Sequence, residues 1–178
     1  MACFGKCFSE TVALLSLAAP AMAVNVLETS MGIVDIIFLG HMGKGNLAAA
    51  IIGNAFVNVI WFFIEGYLTA QDTLAANAFG MKDYKAVRYW SYISMATTGA
   101  LCVFATLVSL FAEPIIGTGL LIHYHMATKA AVHVYLLMPG IWCLAAFRVI
   151  QKYLQAQNIM TPSIVSSLIG NAVNILGE

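Results

Sequence analysis

The chain has 178 residues, 61% of them hydrophobic and only 9% charged, with a formal net charge of zero. A soluble domain carries about 25% charged residues, so this chain could not cover its own surface with polar groups. Its neutral balance offers no basic footprint for nucleic acid, and what remains is a protein whose solvent is the lipid bilayer.

Five hydrophobic segments follow one another. The first, about 11–39, opens in "MACFGKCFSETVALLSLAAPAMA", which imitates a secretory leader and its cleavage site. Apolar character resumes at once from Val24 to Leu39, so the stretch reads as a membrane helix. It contains "SMGIVDIIFLGHMG", where Asp35 has no Asp, Glu, Lys or Arg within six positions on either side. After the break "GHMGKGN" (40–46), a second segment runs over 47–79 and carries Asn54, Asn58, Trp61 and Glu65, with Gln71 and Asp72 further down. "GMKDYK" (80–85) precedes a third segment, 86–112, in which residues 89–112 contain no charged side chain. An uncharged apolar run beyond about 18 residues is long enough to span a bilayer. "EPIIGTGLLIHYH" (113–125) is the next break, then a fourth segment over 127–154, "NIMTP" (158–162), and a fifth segment over 162–178. Each break carries Gly, Pro or Asn turn chemistry. Strand alternation and internal repeats are absent. The expected fold is all-α: a polytopic transmembrane bundle of about five helices, forming a single transmembrane domain over 1–178.

Lys and Arg set the orientation. With the N-terminus cytoplasmic, that side receives Lys6, Lys82, Lys85, Arg88, Arg148 and Lys152, and the other side only Lys44 and Lys129. Cys102 and Cys143 lie inside apolar runs, where small buried residues are expected, and Cys3 and Cys7 read as cytosolic thiols. His123 and His125 fit a solvated outer loop and His133 a helix face. Without a fourth ligand at metal spacing, no metal site is expected, and no nucleophile–base pair suggests an enzyme. Trp90, near a helix end, suits an interfacial anchor or a cavity wall.

An ionisable side chain in mid-membrane costs about 2.5–3.5 kcal/mol on insertion scales, so such groups turn toward partners or water. In the first segment Asn25, Glu28, Gly32 and Asp35 recur at spacings of three, four and three, which forms one stripe of a helix. Asn54, Asn58, Trp61 and Glu65 form a second, and Ser167, Asn171, Asn174 and Glu178 a third. Three polar stripes facing a shared interior would enclose a hydrated compartment. Structural hydrogen bonding between helices, worth about 0.6 kcal/mol per contact, explains the asparagines and serines equally well. It explains Asp35 poorly, because the first and fifth segments hold no Lys or Arg. A buried carboxylate without a counter-ion keeps a proton or recruits a cation. Asp35 is about 36 Å of helical rise from Thr11, and Glu178 about 24 Å from Pro162, which puts both in the outer half of the membrane.

The stretches "LAAPAMAVNVLETSMGIVDIIFLGHMG" and "LAAAIIGNAFVNVIWFFIEGYLTAQDTLAANAFG", followed by "MPGI" and "KYLQAQNIMTP", resemble the opening of a multidrug and toxic compound extrusion (MATE) transporter of the eukaryotic branch. The likeness runs from about Glu10 to Glu178. It implies a twelve-helix fold in two six-helix lobes, of which this chain supplies helices one to five of the first. It also implies export of organic cations or xenobiotics in exchange for H⁺ or Na⁺, with no other cofactor. Asp35 occupies the family's helix-one aspartate position, Asn174 and Glu178 match the asparagine and acid four apart on helix five, and Pro20 resembles the proline associated with bending of helix one. Glu28 stands where a neutral Gln is common, and Asn77 where Gln is frequent.

The expected cation-coupling residues are therefore Asp35, Glu28, Asn174 and Glu178, with Asn25, Asn54, Asn58, Trp61, Glu65 and Asn171 as candidates to line a substrate cavity. The expected partners are lipid, small organic cations and a C-terminal lobe, since the sequence reads as part of something longer. The alternative is a truncated, non-transporting membrane scaffold or dimerising subunit, which the sequence downstream of Glu178 would discriminate.

Overall fold

The computed structural model describes residues 2–41, 43–119 and 123–177. Glu178 lies outside that set, as do the side chains of residues 1–10, Cys3 and Cys7 among them. Six helices occur in order: α1 (Ala2–His41), α2 (Lys44–Gly80), α3 (Tyr84–Leu110), α4 (Ala112–Gly119), α5 (Tyr124–Ala156) and α6 (Thr161–Gly177). No strand occurs among the described residues. Four stretches, Ala18–His41, α2, α3 and α5, are long and apolar enough to cross a membrane, and Thr161–Leu176 is a shorter apolar helix. The 37 residues of α2 rise about 55 Å, more than a hydrocarbon core of about 30 Å requires, so α2 tilts or projects beyond it.

Two differences from the sequence expectation stand out. Helix α1 starts at Ala2 and runs without a break through Pro20. The stretch after α3, expected as a break because of its Pro and Gly, contains α4. Pro114 lies in the first turn of α4, where a missing N–H costs nothing, and Ala112 and Ile116, one turn apart, are both buried.

The chain divides into two compact units, residues 39–157 and residues 1–38 with 158–178. The first holds an apolar core. Ile64 and Leu68 of α2, Cys102 of α3, Ile116 of α4 and Ala130, Val134 and Ile141 of α5 meet in it. On α2 the buried positions 57, 64, 68, 71, 75 and 78 recur at three, four or seven, a single helical face. The opposite surface keeps Phe62, Phe63 and Leu136 more than 70% exposed, which suits contact with acyl chains. Gly53 marks the closest approach of α2 to α5: a Cβ there would lie 3.0 Å from the Ala130 carbonyl oxygen and from the His133 ring.

The turn from α2 to α3 is built from two caps. Lys82 adopts φ 59°, its N–H donates to the Phe79 carbonyl, and the Asp83 N–H donates to Ala78. This is the paired closure of a Schellman motif, with lysine in the place glycine usually takes. Asp83 then caps α3, its Oδ1 accepting from the Lys85 and Ala86 N–H groups.

The other unit buries few apolar side chains among its described residues. Its buried residues among those described are Val24, Ser163 and Ser167. Along α6, Ser163, Ser167, Asn171 and Asn174 make one stripe, while Ile169, Val173 and Leu176 are exposed. A helix with its polar face covered and its apolar face outward inverts the soluble pattern, as lipid as solvent demands.

Candidate functional site

In the unit formed by α1 and α6, the two polar stripes meet. Asn174 Nδ2 donates to Asp35 Oδ1 at 2.8 Å, and both side chains are half-buried. The other amide atom, Asn174 Oδ1, is buried and has no hydrogen-bond partner. One turn along α6, Asn171 Nδ2 donates to the carbonyls of Leu27 (3.0 Å) and Ser167 (2.9 Å). Its Oδ1 accepts from Ser30 Oγ at 3.1 Å, and the same hydroxyl reaches the Leu27 carbonyl at 2.7 Å. This clamp fixes the register of α6 on α1, and the register brings Asn174 to Asp35. No Lys or Arg occurs in residues 11–38 or 158–178.

Glu28 is half-buried on α1, seven residues from Asp35, about 10 Å of helical rise. Asn25 is exposed, and its backbone carbonyl accepts from Thr29. Glu178 lies outside the described residues.

The polar residues of α2 make their contacts within the larger unit. Asn54 Oδ1 lies 3.2 Å from His133 Nε2 of α5. Glu65 Oε1 lies 3.7 Å from Lys152 Nζ, which also holds Asp72 Oδ2 at 2.7 Å. Asn58 is exposed, and Trp61 is partly buried against the apolar core. Gln71 is fully buried with its Nε2 at 3.5 Å from the Val149 carbonyl and its Oε1 unpartnered. Sequence reasoning counted Lys152 only toward orientation and placed His133 only on a helix face; both partners lie about 80 positions away along the chain, where no local spacing rule reaches. One expectation is corrected: Cys102 is buried, but Cys143 is exposed, because an apolar run alone does not tell the covered face from the lipid-facing one. Among the described residues no three His, Cys, Asp or Glu side chains gather as a metal cluster.

Comparison with known proteins supplies the rest. The MatE family model matches residues 20–178. The chain is 37% identical over 151 residues to Protein DETOXIFICATION 37 of Arabidopsis thaliana, covering 84% of this chain and 30% of that protein. It is 31% identical to Protein DETOXIFICATION 13 (89% and 33% covered) and 34% identical to Protein DETOXIFICATION 38 (89% and 31%), both of Arabidopsis thaliana. The chain thus spans about a third of the length of the curated relatives it matches. No solved structure matches it.

Proposed function

Because the chain belongs to the MatE family and is an integral multi-pass membrane protein, we propose that it forms the N-terminal lobe of a secondary antiporter. In this reading the antiporter exports small organic cations or xenobiotics in exchange for H⁺ or Na⁺, with no cofactor beyond the coupling ion. The family context favours transport over catalysis. The N-terminus faces the cytoplasm, on the six-to-two distribution of Lys and Arg, and the second lobe comes from sequence corresponding to the remainder of the relatives.

The observation that carries the reading is the Asp35–Asn174 contact with its spare acceptor. An ionised Asp35 accepts the amide N–H. A protonated Asp35 becomes a donor, and Asn174 Oδ1, unpartnered, is the acceptor that one rotation of the amide brings to it. A Na⁺ ion would use the same two groups, a carboxylate oxygen and an amide oxygen. Either ion neutralises a charge in a low-dielectric setting, and the rotated amide alters how α6 lies on α1. Loading and release of the ion thereby bias two packings of the helix pair, as alternating access requires. Glu28 and Glu178 act as accessory acids, and Pro20, which removes one backbone hydrogen bond from α1, is the bending point. Asn25, Asn58 and Trp61 contribute to the substrate path.

Efflux of a fluorescent organic cation from vesicles carrying the two-lobe transporter, under imposed H⁺ or Na⁺ gradients, tests this reading. Asp35→Asn should reduce gradient-driven efflux at least about tenfold, the usual scale for losing a positioned ionisable group. Unchanged efflux and unchanged ion dependence would end the proposal.

A further inference from the structure

A second group of charges, confined to α2 and α5, takes no part in that scheme. Glu65 and Asp72 lie seven residues apart on α2, two turns along one side of the helix. Lys152 of α5 reaches both, with Nζ 2.7 Å from Asp72 Oδ2 and 3.7 Å from Glu65 Oε1. Its neighbour one turn earlier, Arg148, donates from Nη1 to Gln151 Oε1 at 3.1 Å.

The cluster has more capacity to accept than Lys152 uses. The Glu65 contact is too long for a hydrogen bond, and Glu65 Oε2 is buried without any partner. An inter-helix latch needs only the Asp72 pair, and leaving a buried carboxylate oxygen unsatisfied works against stability. Access also runs in an informative direction. The two acids keep 31% and 38% of their side chains exposed, whereas Lys152 is covered to 16% exposure. The lysine is thus the most covered member of the cluster, and the unfilled acceptor, Glu65 Oε2, lies buried beside it. Trp61 precedes Glu65 by one turn on the same stripe and supplies an aromatic neighbour for an apolar cation.

Resting on the export reading above and deepening it, we propose that Glu65 and Asp72 form a docking site for the cationic group of the exported solute. Lys152 is the tethered cation that occupies the site when the solute is absent. The solute class is an organic cation with an apolar, aromatic-compatible body. With Lys152 alone the cluster has one cation for two carboxylates; docking supplies the second, and repulsion between the solute and the neighbouring ammonium favours release.

Equilibrium binding of ethidium to the chain in phosphatidylcholine nanodiscs tests this, with the neutral dye Nile red as control. Lys152→Met should tighten ethidium roughly tenfold, the scale expected from losing one competing charge at contact distance, and leave Nile red unchanged. Ethidium affinity that is unchanged or weaker in this variant, or a Nile red shift as large as the ethidium shift, would overturn the proposal. Glu65→Gln keeps the Asp72–Lys152 pair and should weaken ethidium several-fold even if Lys152→Met does not fold; equal affinity there would also overturn it. Asp35→Asn separates this proposal from the coupling scheme. If that variant keeps ion-driven efflux while Lys152→Met still tightens ethidium, the coupling scheme fails and the docking site stands.

Discussion

The α1–α6 unit and the α2–α5 unit treat buried polarity in opposite ways. In the larger unit the helices are held by apolar packing around Ile64, Leu68 and Val134, and its acids Glu65 and Asp72 have a lysine beside them. In the smaller unit the buried residues among those described are few and mostly polar, the helices are joined through Ser30, Asn171 and Asn174, and Asp35 meets an amide with no Lys or Arg in the membrane-spanning sequence around it. A frame held by apolar packing keeps a basic partner beside its acids, although one lysine here serves two carboxylates. A helix pair joined mainly through polar contacts opens at lower cost than one held by an apolar core, and in the proposed scheme a cation at Asp35 sets its packing. Under the proposed antiport scheme, the larger unit is the support and the smaller one the switch.

Several substitutions sharpen this contrast, each followed by thermal unfolding of the chain in detergent or nanodiscs. The largest effect is expected at Gly53, where the α2–α5 contact has no room for a side chain. Gly53→Val should destabilise the larger unit by about 1–3 kcal/mol, the cost of overpacking; a neutral result would mean that α2 and α5 do not pack so closely. Asp83→Ala should cost about 1 kcal/mol through loss of the α3 cap, visible as earlier fraying of α3 in hydrogen exchange. In the smaller unit, a double-mutant cycle between Ser30→Ala and Asn171→Ala should give a coupling of only about 0.6 kcal/mol, the mean for polar contacts between membrane helices. A coupling above about 2 kcal/mol would make the α1–α6 pair as firmly locked as the frame and remove the contrast. Close to neutral on balance, Gln71→Leu should change stability by less than about 0.5 kcal/mol in either direction, because its hydrogen bond is long and the change also removes an unsatisfied buried oxygen.

The positions of the long helices were legible in the sequence because lipid as solvent demands apolar runs of bilayer length, and turn residues punctuate them. The Asp35–Asn174 contact was legible as well. Both helices carry their polar residues at helical spacing, and rises of about 36 Å from Thr11 to Asp35 and about 24 Å from Pro162 to Glu178 put both stripes in the outer half of the membrane. What could not be read were pairings set by tertiary register. Lys152 with Glu65 and Asp72, and His133 with Asn54, join positions far apart in the chain, and a count of positive charges for orientation is blind to them. Helix α4 escaped notice because Pro114 and the glycines look like breakers until the proline is seen to stand in a first turn. The exposure of Cys143 depends on which face of α5 turns outward, and an almost uniformly apolar helix does not declare that.

The central claim is that Asp35 carries the exchangeable cation. Infrared difference spectroscopy on the chain, taken between acidic and alkaline buffers and repeated with and without Na⁺, tests it most directly. The account predicts a carboxylic-acid carbonyl band that appears on acidification, weakens with Na⁺, shifts in Asn174→Ala and is absent in Asp35→Asn. A band that survives Asp35→Asn unchanged but vanishes in Glu65→Gln would place the exchangeable cation in the frame and contradict the account.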